Sequence, residues 1–168
     1  FFACILSLNA ADRVIADFEG DNYGDWQVEG TAFGDKPARG TLPNQMHVSE
    51  FQGHGLVNSY VGGDGSVGRL ISPVFVINHS YIRFLIGGGG WKGTRLDLLA
   101  ETEPNVFTVV RTACGPNIKP GGSEALRPDF WDVKDLKGKN ARIEIVDQHR
   151  GGWGHINVDH IVATDEKP

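Results

Sequence analysis

The stretch YIRFLIGGGG (81–90) and the run TRLDLLAET (94–102) after it decide the fold class. In the first, Ile82, Phe84 and Ile86 alternate with Tyr81, Arg83 and Leu85; in the second, Leu96, Leu98 and Ala100 take every other place. A period of two sets such residues on one face of an extended chain, which marks a half-buried strand rather than a helix. The same reading extends outward. RVIADFE (13–19) sets Val14, Ala16 and Phe18 on one face, and NVFTVVRTACG (105–115), ARIEIVD (141–147) and HINVDHIVATD (155–165) are rich in β-branched residues. GRLISPVFVI (68–77) is strand-like, with Pro73 marking an edge or a bend. Between these runs lie turn clusters: GGDGS (62–66), the GGGG at 87–90 and GPNIKPGGS (115–123). EALRPDFWDVKDLKG (124–138) has room for one helical turn, interrupted by Pro128. Within it, Trp131, Val133 and Leu136 are expected to anchor a bent segment to the core, with Asp132 and Asp135 outward or capping turns. Seven or more short strands predict an all-β chain, an antiparallel β-sandwich of jelly-roll type over residues 13–165, with 166–168 as a tail or the start of a linker.

Composition agrees. The 168 residues suffice for one domain with its own core, and the hydrophobic share of 40% with 22% charged residues is that of a globular chain. Glycine, 23 of 168, is about 14% against a usual value of about 7%. That load weighs against helices, where each interior glycine costs about 1 kcal/mol. A net charge of −5 argues against a general nucleic-acid binder, which needs a basic face. Beyond the first dozen residues there is no apolar run of the length that crosses a membrane as a helix.

Phe1 to Leu8 is apolar and is followed by Ala10 and Ala11, so residues 1–12 read as the remnant of a secretory signal peptide. An N-terminal strand and lipid attachment at Cys4 are the alternatives. If the leader is removed, Cys114 is the remaining cysteine, no internal disulfide can form, and its place at the end of an apolar run suits a buried, inert thiol.

Motifs for a serine hydrolase, a zinc protease or a phosphate loop are absent from the sequence. GDGSVG (63–68) lacks a following helical pattern and reads as a turn. His155 and His160 face opposite sides of a strand if the alternation holds, a poor zinc spacing. Two constellations carry more. DFEG (17–20) and NVDHI (157–161) sit on terminal strands, which are often neighbours in jelly rolls. Asp17, Glu19 and Asp159 there could supply the oxygen ligands that calcium prefers, or be solvated strand ends and turn carboxylates. VDQHRGGWGHI (146–156) crowds Asp147, Arg150, Trp153 and His155 into one glycine-rich loop. A flat aromatic with planar polar groups beside it suits a sugar ring and its hydroxyls. Arg111, a charge on an apolar strand, needs a partner, and Asp147 is the acid expected to pair with it. Arg111, Asp147, Trp153 and His155 are therefore expected to converge at one end or face of the sandwich. There they form either a ligand site or a closed polar cluster with Trp153 buried.

The succession GDWQVEGTAFGDKPARGTLPNQ, GHGLVNSYVGGD, GRLISPVFVI, YIRFLIGGG, WDVKDLKGKNARIEIVD and GGWGHINVDHI closely resembles a domain found ahead of the catalytic propeller in bacterial glycoside hydrolase family 32 proteins. These are levanases, fructanases and β-fructosidases. The resemblance runs from about Val14 to Thr164. One departure is ETEPN, which lengthens a turn, and another is Cys114, in place of a usual Thr. The resemblance implies a sandwich like a carbohydrate-binding module, attached to a secreted or periplasmic bacterial fructan hydrolase. That family's propeller carries Asn-Asp-Pro, Arg-Asp-Pro and Glu-Cys motifs; this sequence has neither an Asp-Pro nor a Glu-Cys dipeptide. The expectation is a noncatalytic sugar-binding or accessory module whose partners are a polysaccharide such as fructan and a catalytic domain of the same parent chain, with Trp26, Trp91 and Trp153 as aromatic candidates. The alternative is a purely structural module packed on that domain. An independent enzyme is the remaining reading.

Overall fold

A computed structural model describes residues 11–168, so the expected leader lies outside the described residues except for its last two positions. The strands are β1 (Arg13–Ala16), β2 (Gln27–Gly30), β3 (Val48–Ser49), β4 (Val57–Asn58), β5 (Gly68–Ile71), β6 (Phe75–Val76), β7 (Tyr81–Gly88), β8 (Thr94–Glu103), β9 (Val106–Ala113), β10 (Glu124–Ala125), β11 (Arg127–Asp132), β12 (Asn140–Asp147) and β13 (Ile156–Thr164). Short 3₁₀ turns occupy Tyr60–Gly62 and Lys134–Leu136. One sheet runs β1-β13-β7-β11, with β4 added against β13. The other runs β2-β5-β12-β8-β9, with β6 beside β12, and β3 and β10 form a small parallel pair. Pairing within both large sheets is antiparallel. The all-β sandwich expected from the sequence is what forms. Among the described residues, no helix is long and apolar enough to cross a membrane.

The core lies between the sheets. Ile82, Phe84 and Ile86 of β7 meet Leu96, Leu98 and Ala100 of β8 and Ala141, Ile143 and Ile145 of β12. Ile143 and Ile145 are fully buried; each such side chain contributes about 1.5–3 kcal/mol of burial. Trp131, Val133 and Leu136 join this core, and Trp131 packs 4.7 Å from Phe84 between ring centroids. Pro128 sits within β11, which is an edge strand and so loses no inward ladder bond. Pro73 separates β5 from β6, as expected.

Three details depart from the sequence reading. Val14 is 52% exposed, because it pairs with Val162 on the face away from the inter-sheet core, and Ile15 packs against that core instead. In β13 the inward residues are Ile156 and Val158, then Ile161 and Ala163. A register shift between Asp159 and Val162 changes their parity, so the alternation assumed between His155 and His160 does not hold. The glycines at 87–90 are not a simple turn. A Cβ on Gly89 would stand 2.0 Å from the Trp153 carbonyl oxygen, so glycine here permits two backbones to pack. Gly89 donates to His155 O at 2.8 Å, and Gly90 donates to Asn117 O at 2.8 Å.

A second cluster of Val48, Leu56 and Leu126, with Ala38, Phe51 and Leu85, fixes the 38–56 segment on the outer side of β7. Asn58 Nδ2 donates to Gln45 Oε1 at 2.7 Å and to Gly40 O at 3.3 Å, which positions Asn44, Gln45 and Met46 at one end of the sandwich.

Candidate functional site

At that end a cleft of about 480 Å³ opens between loops. Tyr60, Trp91 and Trp153 supply its aromatic walls. Asn44, Gln45, Asp64, Glu124 and His155 supply its polar groups. Trp91 is braced by its indole N–H, which donates to Gly152 O at 3.0 Å, and by stacking 4.7 Å from His149 at 18°. The Trp153 indole donates to Lys119 O at 2.8 Å, and its ring lies 5.5 Å from that of His155. Trp153 holds φ +62°, a backbone state that a side-chain-bearing residue seldom adopts.

His155 forms the floor, with a carboxylate at each ring nitrogen. His155 is 3% exposed; its Nδ1 lies 2.6 Å from Asp64 Oδ1, and its Nε2 lies 2.9 and 3.1 Å from the two Glu124 oxygens. Asn157 Nδ2 donates to Glu124 Oε2 at 2.8 Å. Burial works against the imidazolium, but the hydrogen bonds and charges of Glu124 and Asp64 outweigh it and raise the pKa of His155 above its ordinary value.

Behind this floor lies Asp147, fully buried at the end of β12. Neither of its carboxylate oxygens has a hydrogen-bond partner among the described residues. Burial pushes its pKa up to about 7; the Ser59 hydroxyl and the His149 N–H pull the other way, short of full hydrogen-bond geometry.

Of the four residues expected to converge, Trp153 and His155 line the cleft and Asp147 lies beneath it, out of reach of a ligand; Trp153 is 9% exposed, buried as the closed-cluster alternative has it, with one part of its ring reaching the cleft. Arg111 is elsewhere. It donates through Nε to Asp132 O at 3.0 Å and through Nη2 to Asp135 at 2.6 Å, not to Asp147. It stands on β9 opposite Leu98, while Asp147 pairs with Thr94 four residues further along β8, and the 132–135 bend offers a nearer acid. Trp26 packs on the core beside Phe18 instead of facing the cleft. Tyr60, Asp64 and Glu124 were not singled out from the sequence, since each sits in a segment that reads locally as a turn or a short strand. Half-buried Cys114 lies 3.7 Å from Trp91 O, and burial raises its thiol pKa, as suits an unreactive thiol.

The terminal-strand acids sit on the opposite task. Glu19 accepts from the His54 and Gly55 N–H groups at 2.9 Å, and these hold its carboxyl below the usual range. Asp159 is fully buried and accepts from Gln52 N at 2.8 Å and His160 N at 2.7 Å. Burial raises its pKa to about 6, and the charges of Glu19 and Asp17 add to the rise. Glu19 and Asp159 therefore clasp the 52–55 loop, while Asp17 accepts from Glu19 N at 3.2 Å. Among the described residues, no group of three or more His, Cys, Asp or Glu side chains is arranged to hold a metal ion.

No family model matches the chain. A curated relative, the "Putative glycosyl hydrolase ecdE" of Aspergillus rugulosus, is 39% identical over 160 residues. That alignment takes in 92% of this chain and 21% of the relative, so the chain spans about a fifth of that protein's length. Among solved structures, the K1 cleaved adhesin domain of Lys-gingipain from Porphyromonas gingivalis W83 superposes with a TM-score of 0.56 at 16% identity, covering 94% of this chain and all of that one. The K2 adhesin domain gives 0.57 at 18% identity, covering 92% and 99%. TmCBM61, solved with β-1,4-galactotriose, gives 0.53 at 16% identity, covering 90% and 99%. These likenesses establish the fold as a β-sandwich of the kind used by adhesin domains and a carbohydrate-binding module.

Proposed function

We propose that this chain is a noncatalytic carbohydrate-binding module and that the Tyr60–Trp91–Trp153 cleft takes the sugar. The observation that carries this reading is the pairing, in one concavity, of aromatic faces with the polar Asn44, Gln45 and Asp64 groups. Aromatic faces meet the apolar side of a sugar ring, while amide and carboxylate groups take its hydroxyls. The glycosyl hydrolase relative and the sandwich shared with TmCBM61 support it. In this reading the chain serves a secreted or periplasmic hydrolase of fructan type, its catalytic domain lying elsewhere in a longer protein.

The test is titration of levan, inulin and β-1,4-galactan oligosaccharides against wild type, Trp91→Ala and Trp153→Ala, with folding checked by near-UV dichroism. Binding by wild type that folded variants lose supports the cleft. Absence of binding to any glycan, or variants that bind as well as wild type, overturns it. A second reading, a structural module docked on its catalytic domain, is favoured by the burial of Trp153 and by Val106 and Val109 of edge strand β9, which are 46% and 53% exposed.

A further inference from the structure

Both ring nitrogens of His155 face carboxylate oxygens, and the two carboxylates belong to opposite walls of the cleft. Asp64 follows the Tyr60–Gly62 turn and stands with Tyr60 on one wall. Glu124 closes the loop that carries Ile118, Lys119 and Pro120 on the other. A neutral imidazole has one N–H and one lone pair, so it satisfies one carboxylate and presents a lone pair to the other. An imidazolium donates to both, through the stronger, charge-assisted kind of bond.

We propose that protonated His155 is a strut that sets the width of the cleft by tying the Asp64 wall to the Glu124 wall, so that ligand binding is gated by pH. This rests on the reading of the cleft as the ligand site.

The geometry also says which wall lets go. Glu124 is 2% exposed and keeps its bond from Asn157 whatever the state of His155. The Asp64 side chain is 33% exposed and can turn to water. Loss of the imidazolium proton therefore frees the 60–66 segment and leaves 118–124 in place. The 60–66 segment retains other ties, Tyr60 N to Asn58 Oδ1 at 3.1 Å, the Tyr60 hydroxyl to Asn44 O at 3.3 Å, Gly151 N to Asp64 O at 3.2 Å and the Arg150 guanidinium to Gly65 O, so it loosens without unfolding.

The groups facing the ring are Asp64 and Glu124 at its nitrogens, Asp147 behind it, and Tyr60 edge-on at 4.9 Å between centroids. Lys119 lines the same cleft, and His149 stacks on Trp91. The sign follows from the flanking acids, which raise the pKa of His155: the strut is intact below the ordinary histidine value and is lost as pH rises through the raised one.

The experiment needs no sugar. The ring nitrogen shifts of His155 are followed by NMR from pH 5 to 10, together with amide exchange over 60–66 and 118–124, corrected for intrinsic rates. A titration midpoint above the ordinary histidine value is expected, and 60–66 should lose protection on the order of tenfold or more as the ring titrates, the worth of one charged hydrogen bond. The 118–124 segment should not change. Asp64→Asn should lower the titration midpoint and His155→Gln should make exchange over 60–66 independent of the ring's pH window. A midpoint at or below the ordinary histidine value, or exchange over 60–66 indifferent to the ring's titration in wild type, overturns the strut even if both variants misfold. Glycan binding with an indifferent 60–66 segment refutes the strut alone. A titrating strut in a protein that binds no glycan refutes the ligand site and leaves the strut as a structural tie, overturning the gating.

Discussion

Trp131→Ala is the sharpest test of the packing described here. The ring is 6% exposed, belongs to the core and lies 4.7 Å from Phe84 at 55°. Emptying such a site costs about 3–5 kcal/mol in lost burial and cavity formation. One feature reduces that figure. The buried indole N–H has no acceptor among the described residues, and an unsatisfied buried donor costs about 1–3 kcal/mol. Taking the lower of these figures, deleting it with the ring leaves a net loss of about 2–4 kcal/mol. For a chain of this size that lowers Tm by roughly 4–16 °C. Trp131→Phe discards the N–H but keeps a ring against Phe84, so its cost should stay below about 1.5 kcal/mol. Urea titration of both variants, with the slope checked for constancy, reads these values. A Trp131→Ala protein within about 0.5 kcal/mol of wild type would place the ring at the surface. A Trp131→Phe protein as damaged as Trp131→Ala would show that the N–H has a partner after all.

Two further predictions concern buried acids. Burial raises Asp147 from 3.8 to about 7, so the folded chain holds a proton that the unfolded chain releases from about pH 4 upward. Stability contributed by that proton is present below pH 4 and falls away as pH rises to 7. Asp147→Asn has no such proton to lose, so its Tm relative to wild type should improve steadily from pH 4 to 8; a constant difference across that range refutes this. Calcium at Asp17, Glu19 and Asp159 predicts that EDTA lowers Tm at pH 7 and that Asp159→Asn abolishes the response. An unchanged Tm removes the calcium and leaves Glu19 and Asp159 as anchors of the 52–55 loop.

The strand alternation at 81–86 and 94–100 and the break at Pro73 were legible because they follow from local periodicity and one residue's geometry. GGWGH (152–155 with its preceding glycine) likewise marked Trp153 and His155 as site residues, since an aromatic and a titratable group in a glycine-rich loop are conspicuous in any context. Asp64 and Glu124 were not legible. They meet His155 across sequence separations of 91 and 31 residues, and nothing in GGDGS or SEALR announces a partner so far away.

The all-β class, the inward faces of the central strands and the loop that carries Trp153 and His155 were thus readable from local sequence, because all of them depend on neighbours within a few residues. Tertiary structure decided the rest. It gave Arg111 to Asp135 instead of Asp147, buried Asp147 beneath the cleft, shifted the parity of β13 at its bulge, and clamped His155 between two walls. The reason is physical: a charged side chain takes the partner that register and loop path bring within about 3 Å, and that distance is set by the pairing of strands remote in sequence.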